Sequence, residues 1–170
     1  MSANPTARHF DPTDIFAALN AERVKYLVFG GIAVVLYGVG RLTWDVDIVL
    51  KLTATNVDRL TKALKKIGFQ PRVPAPPSGL ADPSLRRKWI REKRMQVYPF
   101  REQRSPSRIV DVMIKPLKDF ESLYDRRTLM KVRGVSIPLI PVDALLRLKK
   151  AAGRPQDLQD IQDLKRLHEK

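Results

Sequence analysis

Asp45 and Asp47 stand two residues apart in the segment Arg41-x-Thr43-x-Asp45-Val46-Asp47-Ile48. On a strand, side chains at that spacing leave the same face, about 7 Å apart along the chain. Two carboxylates so placed repel each other and are costly unless a cation lies between them. An oxygen-only set without histidine or cysteine suits Mg²⁺ or Mn²⁺, and magnesium typically takes one or two carboxylates, several waters and substrate phosphates. Upstream, Gly30-Gly31 falls between an apolar run and a candidate helix. Glycines there let the backbone approach a ligand, and amides at a helix start can meet phosphate oxygens. A glycine bend for phosphates beside a carboxylate pair for metal describes a nucleoside triphosphate site. Asp111, between Val110 and Val112, supplies a third carboxylate that could complete a second ion position and take the proton of an acceptor hydroxyl.

Each of these residues also has a plainer reading. The aspartates could cap loops or bridge to nearby basic residues, and the two glycines could be only a tight turn. Arg41 could pair with Asp45 or Asp47 rather than touch a substrate, and Thr43 could simply suit an extended segment. Lys149, the better candidate for a triphosphate contact, and Arg154 could be helix-surface charges. Asp157 and Asp160, three apart on one helix face, could be solvated or could hold Arg154 in place. From Arg86 to Arg108, nine Arg and Lys residues accompany only Glu92 and Glu102, with Trp89, Tyr98 and Phe100 interleaved. That pattern suits RNA or another single strand through phosphates and stacking, or a surface helix that buries Trp89 and Ile90.

The elements that must position these groups read as a mixture of helices and strands. Asp11–Glu22 is an expected helix, opened by Asp11-Pro12, and Tyr26–Phe29 a short buried strand. Ile32–Tyr37 is an expected short helix, Val39–Thr43 a loop and Asp45–Leu50 a central strand with one functional end. Asn56–Ile67 has the clearest helical periodicity and stops at Gly68. Phe69–Val73 and Gln96–Phe100 are possible strands around a proline-rich excursion, Pro71–Pro83. Ile109–Ile114 is a strong strand candidate, and Thr128–Val132 with Val135–Leu139 form a hairpin across Arg133-Gly134. Pro141 opens a helix over Val142–Ala152, Gly153 breaks it, and Arg154-Pro155 starts another to about Leu167. The expected fold class is α/β or α+β: a mixed sheet flanked by helices, with further helices at the C-terminal end. The expected organisation is one domain over residues 1–170. It comprises a sheet core at 11–139 with an inserted basic segment at 71–108, then a helical part at 141–170.

Composition narrows the chemistry. The 170 residues carry a formal charge of +14, with a pI near 10.4 and 44% hydrophobic residues. Such a balance gives a real core and favours a polyanionic partner: nucleic acid, nucleoside triphosphate or an acidic protein. There is no cysteine, which excludes disulfides, thiolate zinc sites and cysteine nucleophiles. The two histidines, His9 and His168, lie near the ends, so histidine metal sites and Ser-His-Asp triads are disfavoured. The start, Met1–His9, is polar and lacks a signal-peptide core, and the longest apolar stretch, Tyr26–Val39, is too short to span a bilayer. A cytoplasmic protein without a membrane partner is the expectation.

Gly30-Gly31, then Asp45-Val46-Asp47-Ile48, then the isolated Asp111 resembles the DNA polymerase β-type nucleotidyltransferase superfamily signature. The Arg41-x-Thr43 element and the segment from Leu148 to Asp160 are similar to small bacterial nucleotidyltransferases grouped with abortive-infection type toxins. The resemblance spans roughly Val24 to Leu164, although Pro71–Arg108 has no counterpart. It implies transfer of a nucleoside monophosphate from a triphosphate to an acceptor hydroxyl, with RNA favoured over a protein or small molecule. It further implies Asp45, Asp47 and Asp111 as catalytic metal ligands, with Gly30, Gly31, Arg41, Thr43, Lys149 and Arg154 around the nucleotide. A cognate toxin or antitoxin is the partner it suggests. Many active members have serine after the first glycine, where this chain has Gly31. The rival from another class is a non-catalytic nucleic-acid-binding module on the same fold.

Overall fold

The computed structural model describes residues 11–169; Met1–His9, read above as a polar start, lies outside the described residues. Strand β2 (Asp45–Leu50) occupies the middle of a seven-stranded mixed sheet. On one side it pairs antiparallel with β1 (Tyr26–Phe29), on the other parallel with β5 (Ile109–Met113). From β5 the sheet continues antiparallel through β4 (Val97–Glu102) to the edge strand β3 (Phe69–Pro71). From β1 it continues through the parallel β7 (Val135–Leu139) to the other edge, β6 (Thr128–Val132), by an antiparallel hairpin. Edge strand β3 is three residues long and ends in proline, whereas β6 exposes Leu129 and Lys131.

Alternation along the central strands separates two faces. Val46, Ile48, Tyr98, Phe100, Val110 and Val112 are at most 1% exposed, while Asp45, Asp47, Val97, Pro99, Arg101, Ile109, Asp111 and Met113 between and beside them are half-buried or open. The buried set joins Phe16, Leu19, Leu60 and Leu64 in one hydrophobic core. Phe16 and Leu19 come from α1 (Thr13–Ala21), and Leu60 and Leu64 from α3 (Ala54–Lys66), and these two helices pack together. Helix α2 (Gly30–Leu36) leaves β1 without a linker and touches α6 (Val142–Ala152). Gly153, in the left-handed region at φ 63°, ends α6 and lets α7 (Pro155–His168) fold back against it. Among the described residues, no helix is long and apolar enough to cross a membrane.

The sheet and C-terminal helices match the architecture expected from the sequence, and β2, β6, β7 and α6 have the expected bounds. Several ends moved for local reasons. Helix α3 starts two residues before Asn56 because the Thr53 hydroxyl accepts a hydrogen bond from the Asn56 amide (3.3 Å) and caps the helix. Within the proline-rich excursion, a short 3-10 helix (Pro77–Ala81) leads to Asp82. The Asp82 carboxylate caps α4 (Pro83–Lys93) by accepting from the amides of Ser84 and Leu85. Helix α5 (Phe120–Asp125), six residues long, is too brief for periodicity to register and was not anticipated.

Asn56 ties these pieces together. Its side chain accepts from the Lys25 amide and donates to the Lys25 and Lys51 carbonyls, each at 2.8 Å, bridging the ends of β1 and β2 to the first turn of α3. It is 4% exposed, so a replacement leaves the Lys25 amide without a partner and takes one of two donors from each carbonyl, which keep the Lys51 and Thr53 amides. Asn56→Ala is expected to lower unfolding stability by about 2 kcal/mol. An unchanged urea midpoint would remove this bridge from the account of the fold.

Candidate functional site

Asp47 on β2 lies in register with Asp111 on β5, as direct neighbours across a parallel pair. In-register residues project to the same face, with strands about 4.8 Å apart. Asp45 precedes Asp47 by two on that same face, so the pairing gathers the three carboxylates at one end of the central strands. Their alternates Val46, Ile48, Val110 and Val112 are driven into the core on the other side, which fixes the direction of the acids.

Electrostatically the cluster is under-compensated. Burial pushes the Asp47 carboxyl up to about 7, with Asp111 and then Asp45 adding to the rise, while Lys149 and Arg154 oppose it. Burial also raises Asp111 to about 6, reinforced by Asp45 and opposed by Arg72. Carboxylates held in this way favour a bound cation. Among the described residues, no three acidic, histidine or cysteine side chains are gathered closely enough to enclose a metal by themselves. An open set of this kind fits magnesium, which keeps waters and shares its shell with substrate phosphates, better than a closed protein cage.

The glycines have a demonstrable steric role. Gly30 sits at φ 66°, and a Cβ there would lie 2.8 Å from the Asp47 carboxyl carbon and overlap a carboxylate oxygen. A Cβ on Gly31 would overlap the Thr43 hydroxyl and lie 3.3 Å from the Arg41 guanidinium. The room left by the missing side chains is thus filled by Asp47, Thr43 and Arg41. The bend brings the two halves of the sequence motif into contact with each other.

Arg41 does not pair with Asp45 or Asp47. It forms a short ion pair with Asp160 on α7, which also receives Lys149 at 2.7 Å. Lys149 reaches Asp157 at 3.1 Å, and Arg154 reaches Asp157 at 2.7 Å. The reading of Asp157 and Asp160 as solvated charges fails: they are 2% and 0% exposed. Burial works to raise Asp157, but hydrogen bonds from Arg154 and Lys149 outweigh it and hold the carboxyl below its ordinary range. The network contains three cations and two anions and joins α6, α7 and the loop before β2. Two of its cations, Lys149 and Arg154, are also those whose field reaches Asp47. Within it, the Lys149 side chain is 6% exposed and the Arg154 side chain 74% exposed.

The basic stretch divides differently from a stacking surface. Trp89, Tyr98 and Phe100 are buried, with ring centroids 5.7 Å and 5.2 Å apart along the series. These aromatics belong to the core, so they offer no face to a nucleobase. Arg86 is buried as well and donates to the Leu80 carbonyl, whereas Arg87, Lys88, Arg91 and Lys93 remain exposed on α4. Ile90 is exposed rather than buried beside Trp89.

Two further cations were missed by the sequence reading. Arg101 lies on β4 two residues after Pro99, which is the cross-strand neighbour of Asp111, and Arg72 donates its amide to the Pro99 carbonyl at 2.9 Å. The expected strand Gln96–Phe100 stops one residue short of Arg101. The pairing register that places both arginines beside Asp111 is not contained in local periodicity.

Two outcomes test this arrangement. Asp47 and Asp111 titrate above the ordinary aspartate value of 3.8, so the folded state retains protons that the unfolded chain has already lost. Their contribution therefore makes the metal-free protein less stable as pH rises from about 4 to 7. Asp47→Asn should flatten this decline and, at pH 7.5 without metal, stabilise the protein by roughly 1–3 kcal/mol; equal melting curves for the two proteins would contradict it. Asp160→Ala strips Lys149 and Arg41 of a buried partner and should cost about 3 kcal/mol in chemical denaturation.

No protein-family model matches the chain, and no curated protein matches it. Solved structures do resemble it. The lincomycin-bound lincosamide antibiotic adenylyltransferase LnuA superposes with a TM-score of 0.59 at 19% identity, covering 92% of this chain and 98% of that one. ANT(2″)-Ia in complex with adenylyl-2″-tobramycin gives 0.57 at 11% identity, over 89% and 84% of the two chains. An antigenic nucleotidyltransferase-like protein from Paracoccidioides brasiliensis gives 0.55 at 20% identity, over 91% and 73%. At these identities the likeness is one of architecture: the chain has the fold of nucleotidyltransferases.

Proposed function

We propose that the chain is a magnesium-dependent nucleotidyltransferase, moving a nucleoside monophosphate from a nucleoside triphosphate to an acceptor hydroxyl, with RNA the favoured acceptor. The observation that carries this reading is the in-register placement of Asp47 beside Asp111, with Asp45 on the same face and, among the described residues, no cation in ion-pair contact. Neighbours of the same fold include adenylyltransferases of lincosamides and aminoglycosides, which supports the reaction class.

Asp45 and Asp47 are the carboxylates that would hold Mg²⁺ (Mn²⁺ would suit the same oxygens), with Asp111 completing a second position. When bound, the ion supplies neutralisation of triphosphate charge. The acceptor oxygen attacks the α-phosphorus while the bond to the β-phosphate oxygen breaks, and pyrophosphate leaves with that electron pair. The hydroxyl proton passes to Asp111, the carboxylate on the β5 side of the cluster. Gly30 and Gly31 bring their backbone to the donor side, with Thr43 beside them. Arg41 and Arg154 keep part of their guanidinium surface open and can meet the departing phosphates. Lys149, enclosed by Asp157 and Asp160, acts on the nucleotide through its field and by holding Arg41 and Arg154 in place.

A place in a toxin–antitoxin pair rests only on the resemblance of the Arg41-x-Thr43 element and the Leu148–Asp160 segment, whose Arg41, Lys149, Arg154, Asp157 and Asp160 are already engaged in the network. A cytoplasmic setting, where triphosphates and magnesium are abundant, follows from the same reading.

Incubation with α-labelled nucleoside triphosphates, Mg²⁺ and cellular RNA tests the proposal. Label should appear in an acceptor, and the double variant Asp45→Asn/Asp47→Asn should reduce incorporation at least ~100-fold. If neither protein transfers label to any acceptor while both remain folded, the catalytic reading is lost. Magnesium-indifferent RNA binding would then point to the non-catalytic module.

A further inference from the structure

Resting on the transferase reading, we infer that the acceptor is a phosphate-bearing strand, held by Arg72 and Arg101 on the open sheet face beyond Asp111. The two flanks of the carboxylate cluster differ. On the β1 side of Asp47 lie the glycine bend, Thr43, Arg41 and the network of α6 and α7, which together face the donor nucleotide. On the other side, β5, β4 and β3 run outward from Asp111 to the sheet edge.

On this outer flank the face bearing Asp111 is only half-covered. Val97, Pro99, Ile109 and Met113 are partly exposed, whereas the alternating residues Tyr98, Val110 and Val112 are at most 1% exposed and point into the core. This gives an apolar floor next to the proposed base. Beyond it stand two cations. Arg72 is exposed and near enough to Asp111 to oppose the rise in its carboxyl, and Arg101 is half-buried with its Nε out of water and without a hydrogen-bond partner. Among the described residues neither arginine has an acidic partner. The other half-buried arginine of this region, Arg108, is paired with Glu102 at 3.0 Å and also with Asp14.

Pro99 is directly across from Asp111, and Arg72 is held to Pro99, so the backbone of Arg72 is two strand spacings, roughly 10 Å, from that of Asp111. An arginine side chain spans much of that interval. The arrangement suits a ribose and base over the apolar floor, a hydroxyl at Asp111 and a flanking phosphate on the guanidinium pair. A polycation would instead meet two unpaired arginines on a chain with net charge +14. The same fold therefore has acceptor chemistry here opposite in charge to that of ANT(2″)-Ia with its tobramycin product.

The test uses the full chain with Mg²⁺, α-labelled nucleoside triphosphates and three probes: a single-stranded dodecaribonucleotide, a free nucleoside 5′-monophosphate and tobramycin. Label should enter the oligonucleotide, weakly or not at all the monophosphate, and not tobramycin. Arg72→Gln/Arg101→Gln should raise the oligonucleotide KM at least ~10-fold with a smaller change in kcat, and reduce the salt slope of its binding by up to about 2. Arg72→Lys/Arg101→Lys, which keeps the charge, should restore most of the affinity and controls for misfolding. Preferential labelling of the monophosphate would assign the phosphate site to a small molecule and overturn the strand. Preferential labelling of tobramycin, or a glutamine double variant with unaltered oligonucleotide KM and binding, would overturn the inference and leave the transferase reading intact. Absence of label transfer to every probe and to cellular RNA would instead remove the transferase reading, and with it the acceptor assignment.

Discussion

Repulsion between Asp47 and Asp111 is the constraint around which the molecule is organised. Parallel pairing of β2 with β5 holds the two carboxyls side by side, and Asp45 adds a third on the same face. A chain selected only for stability would place hydrophobic or oppositely charged residues there. The protein holds the acids in position through the opposite face instead, where Val46, Ile48, Val110 and Val112 are locked in the core. Any slip in strand register would carry the valines and isoleucine out of that core, so hydrophobic burial enforces the electrostatic tension.

The C-terminal helices answer that tension from a distance. Lys149, Arg41 and Arg154 are organised by Asp157 and Asp160 rather than by the site carboxylates, leaving the acids available while Lys149 and Arg154 lend Asp47 positive potential. A direct salt bridge to Asp47 would have satisfied it and closed the site. An excess of one positive charge within the buried network gives the attraction without the obstruction.

Much of this was legible from residue types and spacing. The Asp45–Asp47 period, the isolated Asp111 between valines, and the glycine bend all specify local geometry that two-residue alternation and backbone freedom can express. The strand Asp45–Leu50 and the helix break at Gly153 follow from the same local rules. What stayed hidden was long-range partnering. That Arg41 would meet Asp160, 119 residues away, is set by how α7 folds back against α6, not by either residue's neighbours in sequence. Trp89, Tyr98 and Phe100 read as a stacking series because basic residues surround them, yet each alternates inward from its element and was claimed by the core. Arg72 and Arg101 became neighbours of Asp111 only through the β3–β4–β5 register.

The two margins of the sheet carry their own consequence. A mixed sheet open at both sides exposes backbone donors and acceptors that could template another molecule. Here the first margin is three residues long and terminates in proline, so little ladder is available for growth. The opposite margin is longer and presents Leu129, but Lys131 and Arg133, the latter paired with Asp11, stand beside it. Copies of the chain meeting along that strand would bring those cations together. The positive charge suited to a polyanion thus also works against strand-to-strand growth along that margin.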